Sequence, residues 1–347
     1  MVPSVLHFRM PAEWERHACT FIAWPVRGSM CFPENYRQVA TGYSQFASAI
    51  AEFEPVTILA NPEEAGTLEK IYQGKNVRVL SMAHDDSWFR DNGPTFLVAA
   101  DGQVGGINWR FNAWGEKYTP YDRDDRLAGM LLDSFNLPRF NAPLVLEGGS
   151  IHVDGEGTLL TTEQCLLNPN RNPKESRETI SALLKDYLAI RQIIWLKKGL
   201  SGDETDGHVD NLACFAAPGK VLIQVCEDPS DENYTVTQEN LAILEQTVDA
   251  AGRKLEVIPV QQPPARYYRG KRLTLSYMNF YLVNDGLILP VFGGEAAETD
   301  QAACDILSRT FPNRRIRTID GTAIISEGGN VHCATQQLPA GKGGNKR

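Results

Sequence analysis

A short phrase occurs twice in this chain and limits the folds that the chain can adopt. Residues Glu147-Gly148-Gly149-Ser150-Ile151-His152 return near the end as Glu327-Gly328-Gly329-Asn330-Val331-His332, and there Cys333 follows. A repeated Glu-Gly-Gly turn that leads into a strand implies a fold built from similar units. Only the second copy carries a thiol, so we expect one unit to have acquired a nucleophile and the chemistry to lie at matching points of the other units.

The rest of the chain supports a repeated unit of hairpin, helix and strand. Strand pairs around a Gly-containing turn are predicted for residues 95–110, 150–165, 208–225 and 273–291. Apolar residues at three- and four-residue spacing predict amphipathic helices over 35–53, 125–135, 174–190, 239–251 and 298–311. Short apolar strands follow most helices, for example 56–59, 193–196 and 255–260. The unit recurs at intervals of roughly 55 to 65 residues.

A fifth unit begins at Gly328, but the chain ends soon afterwards. We expect residues 17–24 to supply its missing strand, which would close a ring and remove the exposed sheet edges. The sequence thus predicts an α/β fold, a five-bladed pseudo-symmetric propeller closed by its N- and C-terminal segments. Residues 1–340 would form one catalytic domain, and residues 341–347 would be a disordered tail.

Composition narrows the class of partner. The formal net charge is −9, which disfavours nucleic acid as a partner. No leader-like N-terminus and no uninterrupted apolar run long enough for a membrane span is present in the sequence, so we expect a cytoplasmic protein with no membrane partner. Seven cysteines, an odd number without a Cys-x-x-Cys pair, argue against a disulfide framework or a zinc ribbon.

If the units are related by rotation, residues at the start of each hairpin meet at a common axis. Those residues lie in the stretch 85–93 with Asp91, at Glu147, in the stretch 203–210 with His208 and Asp210, and at His332-Cys333. The fourth unit offers only a neutral wall at 276–279. A cysteine, a histidine and several carboxylates indicate thiol nucleophilic catalysis, and the carboxylates need a cationic substrate with several donors. A guanidinium meets this need because it is planar, always charged and presents its donors in a fork.

Several strings of the sequence resemble the agmatine deiminase family, from about Pro11 to Pro339. They are Trp88-Phe89-Arg90-Asp91-Asn92-Gly93-Pro94, Asn112-Ala113-Trp114-Gly115, Glu147-Gly148-Gly149, residues 202–210 and residues 329–337. Two positions depart from the family pattern, because Glu327 stands where a glycine is usual and Ala334 where a bulkier residue is usual. Both flank the thiol and could alter its packing without removing it.

The resemblance implies the pentein fold and a role for each matching residue. Cys333 would attack the guanidinium carbon, and His208 would shuttle protons. Asp91 and Asp210 would hold the guanidinium, while Glu147 would accept a further hydrogen bond.

The substrate implied by the resemblance is agmatine, a small cationic guanidine that ends in an ammonium. Three acidic residues precede His208, and they are Asp203, Glu204 and Asp206. We expect one of them, Glu204 in particular, to face that ammonium, and Trp88 and Trp114 to pack on the methylene chain. Gly329 would leave room for the substrate. The expected reaction is hydrolysis to N-carbamoylputrescine and ammonia, a step of polyamine (putrescine) synthesis or of agmatine use.

Other functions stay open on the sequence alone. A peptidyl- or free-arginine deiminase would share the same reactive residues, and an amidinotransferase would hand the amidino group to an amine. A non-catalytic binding propeller would not need Cys333, His208, Asp91 and Asp210 together. We expect no cofactor and no metal, since no close ligand pair such as His-x3-His is present, and a homodimer or larger homo-oligomer by the resemblance.

Overall fold

The computed structural model describes residues 2–32, 34–326 and 328–341. Glu327 of the second repeated phrase and residues 342–347 of the predicted tail lie outside the described residues. The strands are β1 (Phe8–Arg9), β2 (His17–Ala23), β3 (Val56–Ala60), β4 (Val77–Ser81), β5 (Thr95–Ala99), β6 (Val104–Arg110), β7 (Arg139–Val145), β8 (Ile151–Val153), β9 (Thr158–Thr162), β10 (Gln192–Leu196), β11 (Ala213–Ala217), β12 (Lys220–Val225), β13 (Glu256–Gln261), β14 (Tyr267–Tyr268), β15 (Lys271–Arg272), β16 (Tyr281–Val283), β17 (Gly286–Val291), β18 (Arg315–Asp320) and β19 (Thr335–Pro339).

Helices fill the connections between these strands. They are α1 (Tyr36–Ala51), α2 (Pro62–Tyr72), α3 (Phe89–Asn92), α4 (Ala113–Glu116), α5 (Asp124–Ser134), α6 (Glu163–Leu166), α7 (Arg177–Leu188), α8 (Asn233–Gln246), α9 (Ala297–Thr310) and α10 (Thr322–Ile325). Short 3-10 helices lie at Pro3–Leu6, Gly148–Ser150, Val209–Asn211 and Gly294–Ala296. No helix among the described residues is long and apolar enough to cross a membrane.

Five sheets share one strand pattern, in which an antiparallel pair is extended by a parallel strand. Their orders are β1-β5-β6-β7, β8-β9-β10, β11-β12-β13, β16-β17-β18 and β19-β2-β3-β4, and β14-β15 form a separate small hairpin. The pairs β6/β7, β9/β10, β12/β13, β17/β18 and β2/β3 are parallel. A parallel neighbour requires a crossover, which the helix of each unit provides. The hairpin, helix and strand unit is therefore present in this α/β fold.

The two ends of the chain share one sheet. β19 pairs with β2 in antiparallel register, with Thr335 opposite Ile22 and Leu338 opposite Cys19. β2 then pairs with β3 in parallel. The prediction that residues 17–24 supply the strand missing from the last unit is confirmed.

Two predicted hairpins begin later in the structure than in the sequence analysis. The first strands start at Ala213 and Tyr281, not at residues 208 and 273. Residues 209–211 form a 3-10 helix instead, and its three residues are buried. These residues resemble a strand in the sequence because they are buried, but their backbone forms a helical turn.

The predicted helices are present, and one is shifted along the sequence. The predicted helix over 239–251 is observed at Asn233–Gln246, and Thr247 has extended backbone angles. The buried face of its first turns is polar, with Asn233, Thr237 and Asn240 all buried. The Oδ1 atom of Asn240 accepts a hydrogen bond from the backbone N–H of Lys197. An apolar pattern therefore could not mark the start of this helix.

The apolar core consists of several clusters beneath the sheets rather than one centre. One cluster joins β2, β3 and α1 through fully buried side chains such as Ile22, Phe46 and Ile58. Full burial of such a side chain contributes about 1.5–3 kcal/mol to folding. Apolar packing thus fixes the sheets from outside and leaves the short turns before each hairpin free to carry polar residues inward.

Candidate active site

Short turns before the hairpins carry the chemically active side chains. Asp91 lies on α3 immediately before β5, and Glu147 directly precedes the Gly148–Ser150 turn before β8. His208 and Asp210 flank the start of the Val209–Asn211 turn before β11, and Cys333 lies just before β19. Five residues from four separate stretches of the chain therefore reach one place, as the repeat predicts.

The thiol of Cys333 is buried between an amide and a carboxylate. Asn279 donates from Nδ2 to Sγ at 3.0 Å. The thiol in turn donates from Sγ to Oδ2 of Asp210 at 3.3 Å. Burial raises the pKa of the Cys333 thiol well above its usual range, and the charges of Asp210 and Asp91 raise it further. Cys333 is therefore held as a thiol until a positive charge arrives beside it.

His208 is a fully buried imidazole between two carboxylates. Its Nδ1 lies 3.8 Å from Oδ2 of Asp91, and its Nε2 lies 3.5 Å from Oε2 of Glu147. Within the described part of the chain, neither ring nitrogen has a hydrogen-bond partner. Burial alone would lower the pKa of His208, but Asp91, Cys165 and Glu147 outweigh it and raise the pKa well above the usual range. The carboxylates on both sides therefore favour the protonated form of the ring.

Two aspartates differ in how their oxygens are used. Asp91 accepts from the Trp114 indole N–H and the Gly149 backbone N–H, both at 2.9 Å. Burial raises the pKa of Asp91 to about 6, although the neighbouring His208 opposes this shift. Burial would also raise the pKa of Asp210, but the hydrogen bond and charge of His332 hold that pKa below its usual range. The Oδ1 atom of Asp210 is buried and unpartnered among the described residues.

Glu147 contacts protein groups through both of its carboxylate oxygens, and its hydrogen bond to the substrate stays a prediction. Its Oε1 accepts from Nε of the buried Arg171 at 2.6 Å, and its Oε2 faces Nε2 of His208 and the Cys165 thiol. Burial would raise the pKa of Glu147, but Arg171 and His208 hold it low. The side chain lies behind His208 and does not line the pocket described below.

A pocket opens in front of the thiol. Both predicted tryptophans line it, as does Gly329. The described residues around it are Cys31, Trp88, Asp91, Trp114, Tyr118, Glu204, Thr205, Gly328, Gly329 and Cys333. The Trp114 ring stands edge-on to Tyr118, with centroids 5.7 Å apart. Aromatic walls lead to a base that carries a thiol and a carboxylate.

Of the acidic residues predicted for the distal ammonium, Glu204 and Asp206 lie in different surroundings. Glu204 lines the pocket, accepts from the Tyr118 hydroxyl at 2.5 Å and pairs with the exposed Lys271 at 3.0 Å. Asp206 points away from the pocket and is held by Lys117 at 2.8 Å and Arg171 at 2.7 Å. Asp206 is absent from the described residues that line the pocket, and its contact with the substrate stays a prediction.

The second glycine of each repeated phrase lies so close to its neighbours that a side chain would collide with them. A Cβ atom on Gly149 would lie 2.5 Å from His208 Nδ1, 2.9 Å from Asp210 Oδ2 and 3.0 Å from Asp91 Oδ1. A Cβ atom on Gly329 would lie 2.6 Å from the Trp88 ring and 3.0 Å from Cys333 Cβ. Real Cβ atoms do not approach neighbours so closely, so both positions admit only glycine without a shift of the site.

The sequence of this chain is similar to those of known deiminases. Residues 9–339 match the profile of the family described as Porphyromonas-type peptidyl-arginine deiminase. The chain belongs to this family. An agmatine deiminase of Pseudomonas aeruginosa is 43% identical over 365 residues, which cover 97% of this chain and 97% of that protein.

Solved structures of deiminases share the fold. The agmatine deiminase of Enterococcus faecalis is 34% identical with a TM-score of 0.91, and the match covers 98% of each chain. The agmatine deiminase of Campylobacter jejuni, solved as a cysteine-to-serine variant with substrate bound, is 29% identical with a TM-score of 0.89, covering 96% of this chain and 97% of that one. This member of the Porphyromonas-type deiminase family therefore has the α/β fold of agmatine deiminases.

Some residues of this deiminase site were not found by sequence reasoning. Asn279, predicted as part of a neutral wall, contacts the thiol, and Tyr118 holds Glu204. Arg171 pairs with Glu147 from a loop that carries no motif. His332 has no predicted role, although its position beside Cys333 in the repeated phrase is a usable signal.

One group of side chains in the deiminase could also ligate a metal. The donor atoms of Glu147, Cys165 and His208 lie within 4.8 Å of one another. Arg171 Nε already contacts Glu147 at 2.6 Å, so a cation is in place beside this carboxylate. His208 and Arg171 therefore both lie against the Glu147 carboxylate.

Proposed function

We propose that this deiminase hydrolyses agmatine to N-carbamoylputrescine and ammonia through a covalent intermediate on Cys333. The observation that carries the proposal is the distribution of charge along the pocket. Asp91 and Cys333 lie at its base, with Asp210 in contact with the thiol, and Glu204 lies on its wall. A substrate with a guanidinium at one end and an ammonium at the other satisfies both groups. Relatives named as agmatine deiminases, one of them solved with substrate bound, support this assignment.

The guanidinium would bind between Asp91 and Asp210. Oδ1 of Asp210 has no partner among the described residues, and burying an unpaired carboxylate oxygen is costly. Donors of the guanidinium would satisfy it. The same cation favours ionisation of Cys333, whose pKa the carboxylates raise in the empty site. Activation of the nucleophile is thus assisted by the substrate, and the thiol proton leaves to solvent as the cation enters.

The thiolate then attacks the guanidinium carbon, forming the C–S bond and moving the C=N electron pair onto nitrogen. His208 donates its proton to the departing amine, the C–N bond breaks, and ammonia leaves. A thiouronium that still carries the aminobutyl chain remains on Cys333. His208, now neutral, takes a proton from water, and the hydroxide adds to the same carbon. The C–S bond breaks, the urea product forms, and its surplus proton returns to the thiolate.

Glu147 would act through His208 rather than on the substrate. Its Oε2 faces Nε2 of the imidazole at 3.5 Å, and Arg171 fixes its other oxygen. This arrangement stabilises the imidazolium before ammonia leaves. It gives Glu147 a positioning role in place of the direct hydrogen bond implied by the resemblance.

The substrate is tested by the turnover of purified protein. Ammonia release from agmatine should greatly exceed release from arginine, because the described residues that line the pocket include no arginine or lysine to pair with a substrate carboxylate. Preference for free or peptidyl arginine would instead support an arginine deiminase. Transfer of the amidino group to an added amine would indicate an amidinotransferase, and no reaction at all would indicate a binding protein.

Glu204→Gln should raise KM for agmatine about fivefold and leave kcat nearly unchanged. The carboxylate is partly exposed and already paired with Lys271, so its attraction for the distal ammonium is worth only ~1 kcal/mol. Steady-state kinetics of Glu34→Gln provide the control, because Glu34 is an exposed carboxylate that pairs with Arg269. An unchanged KM in Glu204→Gln would remove Glu204 from the substrate site.

Acid should reduce kcat/KM for agmatine as the pH falls through about 6. Burial raises the pKa of Asp91 to about 6, so the carboxylate that holds the guanidinium becomes neutral below that pH. Since kcat/KM reports the free enzyme, the loss should approach about tenfold per pH unit on the acid side. A profile that stays flat through this range would show that ionised Asp91 is not required.

We further propose that the five sheets form a closed five-bladed propeller and that residues 1–340 make up one catalytic domain. The common strand order of the sheets and the pairing of β19 with β2 support this arrangement. We also propose a homodimer or larger homo-oligomer in the cytoplasm, with agmatine as its small-molecule partner, no cofactor and no bound nucleic acid.

A further inference from the structure

The histidines of the two repeated phrases face the same carboxylate. His152 ends the first phrase and His332 occupies the equivalent place in the second, and Glu13 lies between them. Oε1 of Glu13 is 2.8 Å from Nε2 of His332, and its Oε2 is 3.7 Å from Nε2 of His152. All three residues are at most 4% exposed. The N-terminal segment therefore places a buried charge between two units of the repeat.

Hydrogen-bond geometry gives the two histidines different charges. His332 has a carboxylate oxygen at each ring nitrogen, Asp210 Oδ2 at 2.9 Å from Nδ1 and Glu13 Oε1 at 2.8 Å from Nε2. Ionised carboxylates only accept hydrogen bonds, so both nitrogens of His332 carry hydrogen and the ring is an imidazolium. His152 accepts at Nδ1 from the Phe215 backbone N–H at 3.2 Å, so its proton is on Nε2 and the ring is neutral.

The charges around His332 alternate. Arg90 contacts Glu13 Oε1 from its guanidinium at 3.3 Å and donates from Nε to the His332 carbonyl at 3.3 Å. The order is thus Arg90, Glu13, His332, Asp210, with each positive group next to a negative one. Burial and Arg90 would lower the pKa of His332, but Glu13 and Asp210 outweigh them and raise it. Burial would raise the pKa of Glu13, but His332 and Arg90 hold it well below the usual range.

This chain of contacts ends on the reactive groups. Oδ2 of Asp210 receives both the His332 N–H and the Cys333 thiol, the latter at 3.3 Å. Its Oδ1 is then left buried and without a partner among the described residues. The imidazolium therefore determines which oxygen of Asp210 contacts the thiol and which is free for a substrate.

We propose that Glu13 and His332 are positioning residues that orient Asp210 and balance its charge beside Cys333. The inference rests on the proposed function, because Asp210 is taken to bind the guanidinium. Glu13 acts through His332, and His332 acts through Asp210, so the N-terminal segment completes the site. Neither residue touches the substrate.

Glu13→Gln tests the proposal, with His152→Gln as the matched control. Gln at position 13 keeps the shape but removes the charge, so His332 loses its proton more readily and Asp210 is less well held. We expect kcat/KM for agmatine to fall by about tenfold or more, as when other supporting groups of an active site are replaced. His152→Gln removes an imidazole beside the same carboxylate and should stay within about twofold of wild type.

Alkylation of Cys333 by iodoacetamide gives a readout that a purely structural role would not move. His332 contacts the same Asp210 oxygen as the thiol, and Glu13 lies beyond the ring. Loss of the imidazolium should therefore shift the pH midpoint of alkylation upward in Glu13→Gln and leave it unchanged in His152→Gln. The measurement needs no agmatine, so it is independent of whether the proposed substrate is right.

The charge of His332 can be measured in the unaltered protein. The chain has six histidines, so 15N-histidine spectra of the full chain can resolve the ring nitrogens, with His332→Gln to assign the signal. We expect both nitrogens of His332 to be protonated at neutral pH. A neutral His332 would overturn the proposal even if Glu13→Gln does not fold. An unchanged alkylation midpoint with normal kcat/KM in Glu13→Gln, or an equal loss in His152→Gln, would overturn it as well.

Discussion

Cys333→Ser should reduce agmatine turnover by on the order of 10⁴-fold or more while agmatine still binds. A serine hydroxyl between Asp210 and Asn279 would not ionise when the guanidinium arrives, whereas the thiol is poised to do so. The carboxylates that hold the cation are unchanged by the substitution. The measurements are ammonia release for turnover and thermal stabilisation by added agmatine for binding.

Cys304→Ser is the control for this experiment. Cys304 is a partly exposed free cysteine on α9, and it does not line the pocket. Its replacement should leave kcat and KM unchanged. Turnover near the wild-type rate in Cys333→Ser would reject Cys333 as the nucleophile, and loss of binding would show that the thiol does more than react.

Gly149→Ala should lower kcat/KM by about 100-fold or more. The added methyl group would lie 2.5 Å from His208 Nδ1 and within 3.0 Å of carboxylate oxygens of both Asp210 and Asp91. All three groups would have to move, and a displacement of about 1 Å at a reactive centre costs on the order of 100-fold. Kinetics and thermal unfolding should be measured on the same preparation, so that a misplaced site is distinguished from an unfolded chain.

Gly66→Ala is the matched control. Gly66 lies in α2, and a Cβ atom there would meet nothing within 4 Å. Alanine at this helical position should leave activity unchanged and raise stability by up to about 1 kcal/mol. If Gly149→Ala retained wild-type kcat/KM, the crowded arrangement of His208, Asp91 and Asp210 around this glycine would not be the reactive one.

Much of the fold could be predicted because its cause is local and repeated. Hairpin turns with glycine and the apolar spacing of helices mark each unit, and the incomplete fifth unit predicts the pairing of β19 with β2. The ends of helices were less predictable where the buried face of the helix is polar. The start of α8 is the example, since Asn233, Thr237 and Asn240 are buried through hydrogen bonds that no apolar pattern indicates.

Some residues of the candidate site could likewise be predicted from the sequence, and others could not. Residues at the starts of hairpins were found from the repeat, because the same turn delivers each of them inward. Glu13 could not be found from the repeat, because it is 319 residues from its partner His332 and belongs to no repeated phrase. The partners of Asp206 could not be predicted either, because Lys117 and Arg171 are 89 and 35 residues away from it.

The central claim is that Cys333 carries a covalent intermediate, and intact-protein mass spectrometry after rapid acid quenching tests it most directly. During turnover of agmatine, part of the protein should gain the mass of agmatine less ammonia, and peptide analysis should place the adduct on Cys333. The adduct should be absent from Cys333→Ser and present in Cys304→Ser. Rapid ammonia release with no adduct under these conditions, or an adduct that persists in Cys333→Ser, would contradict the account.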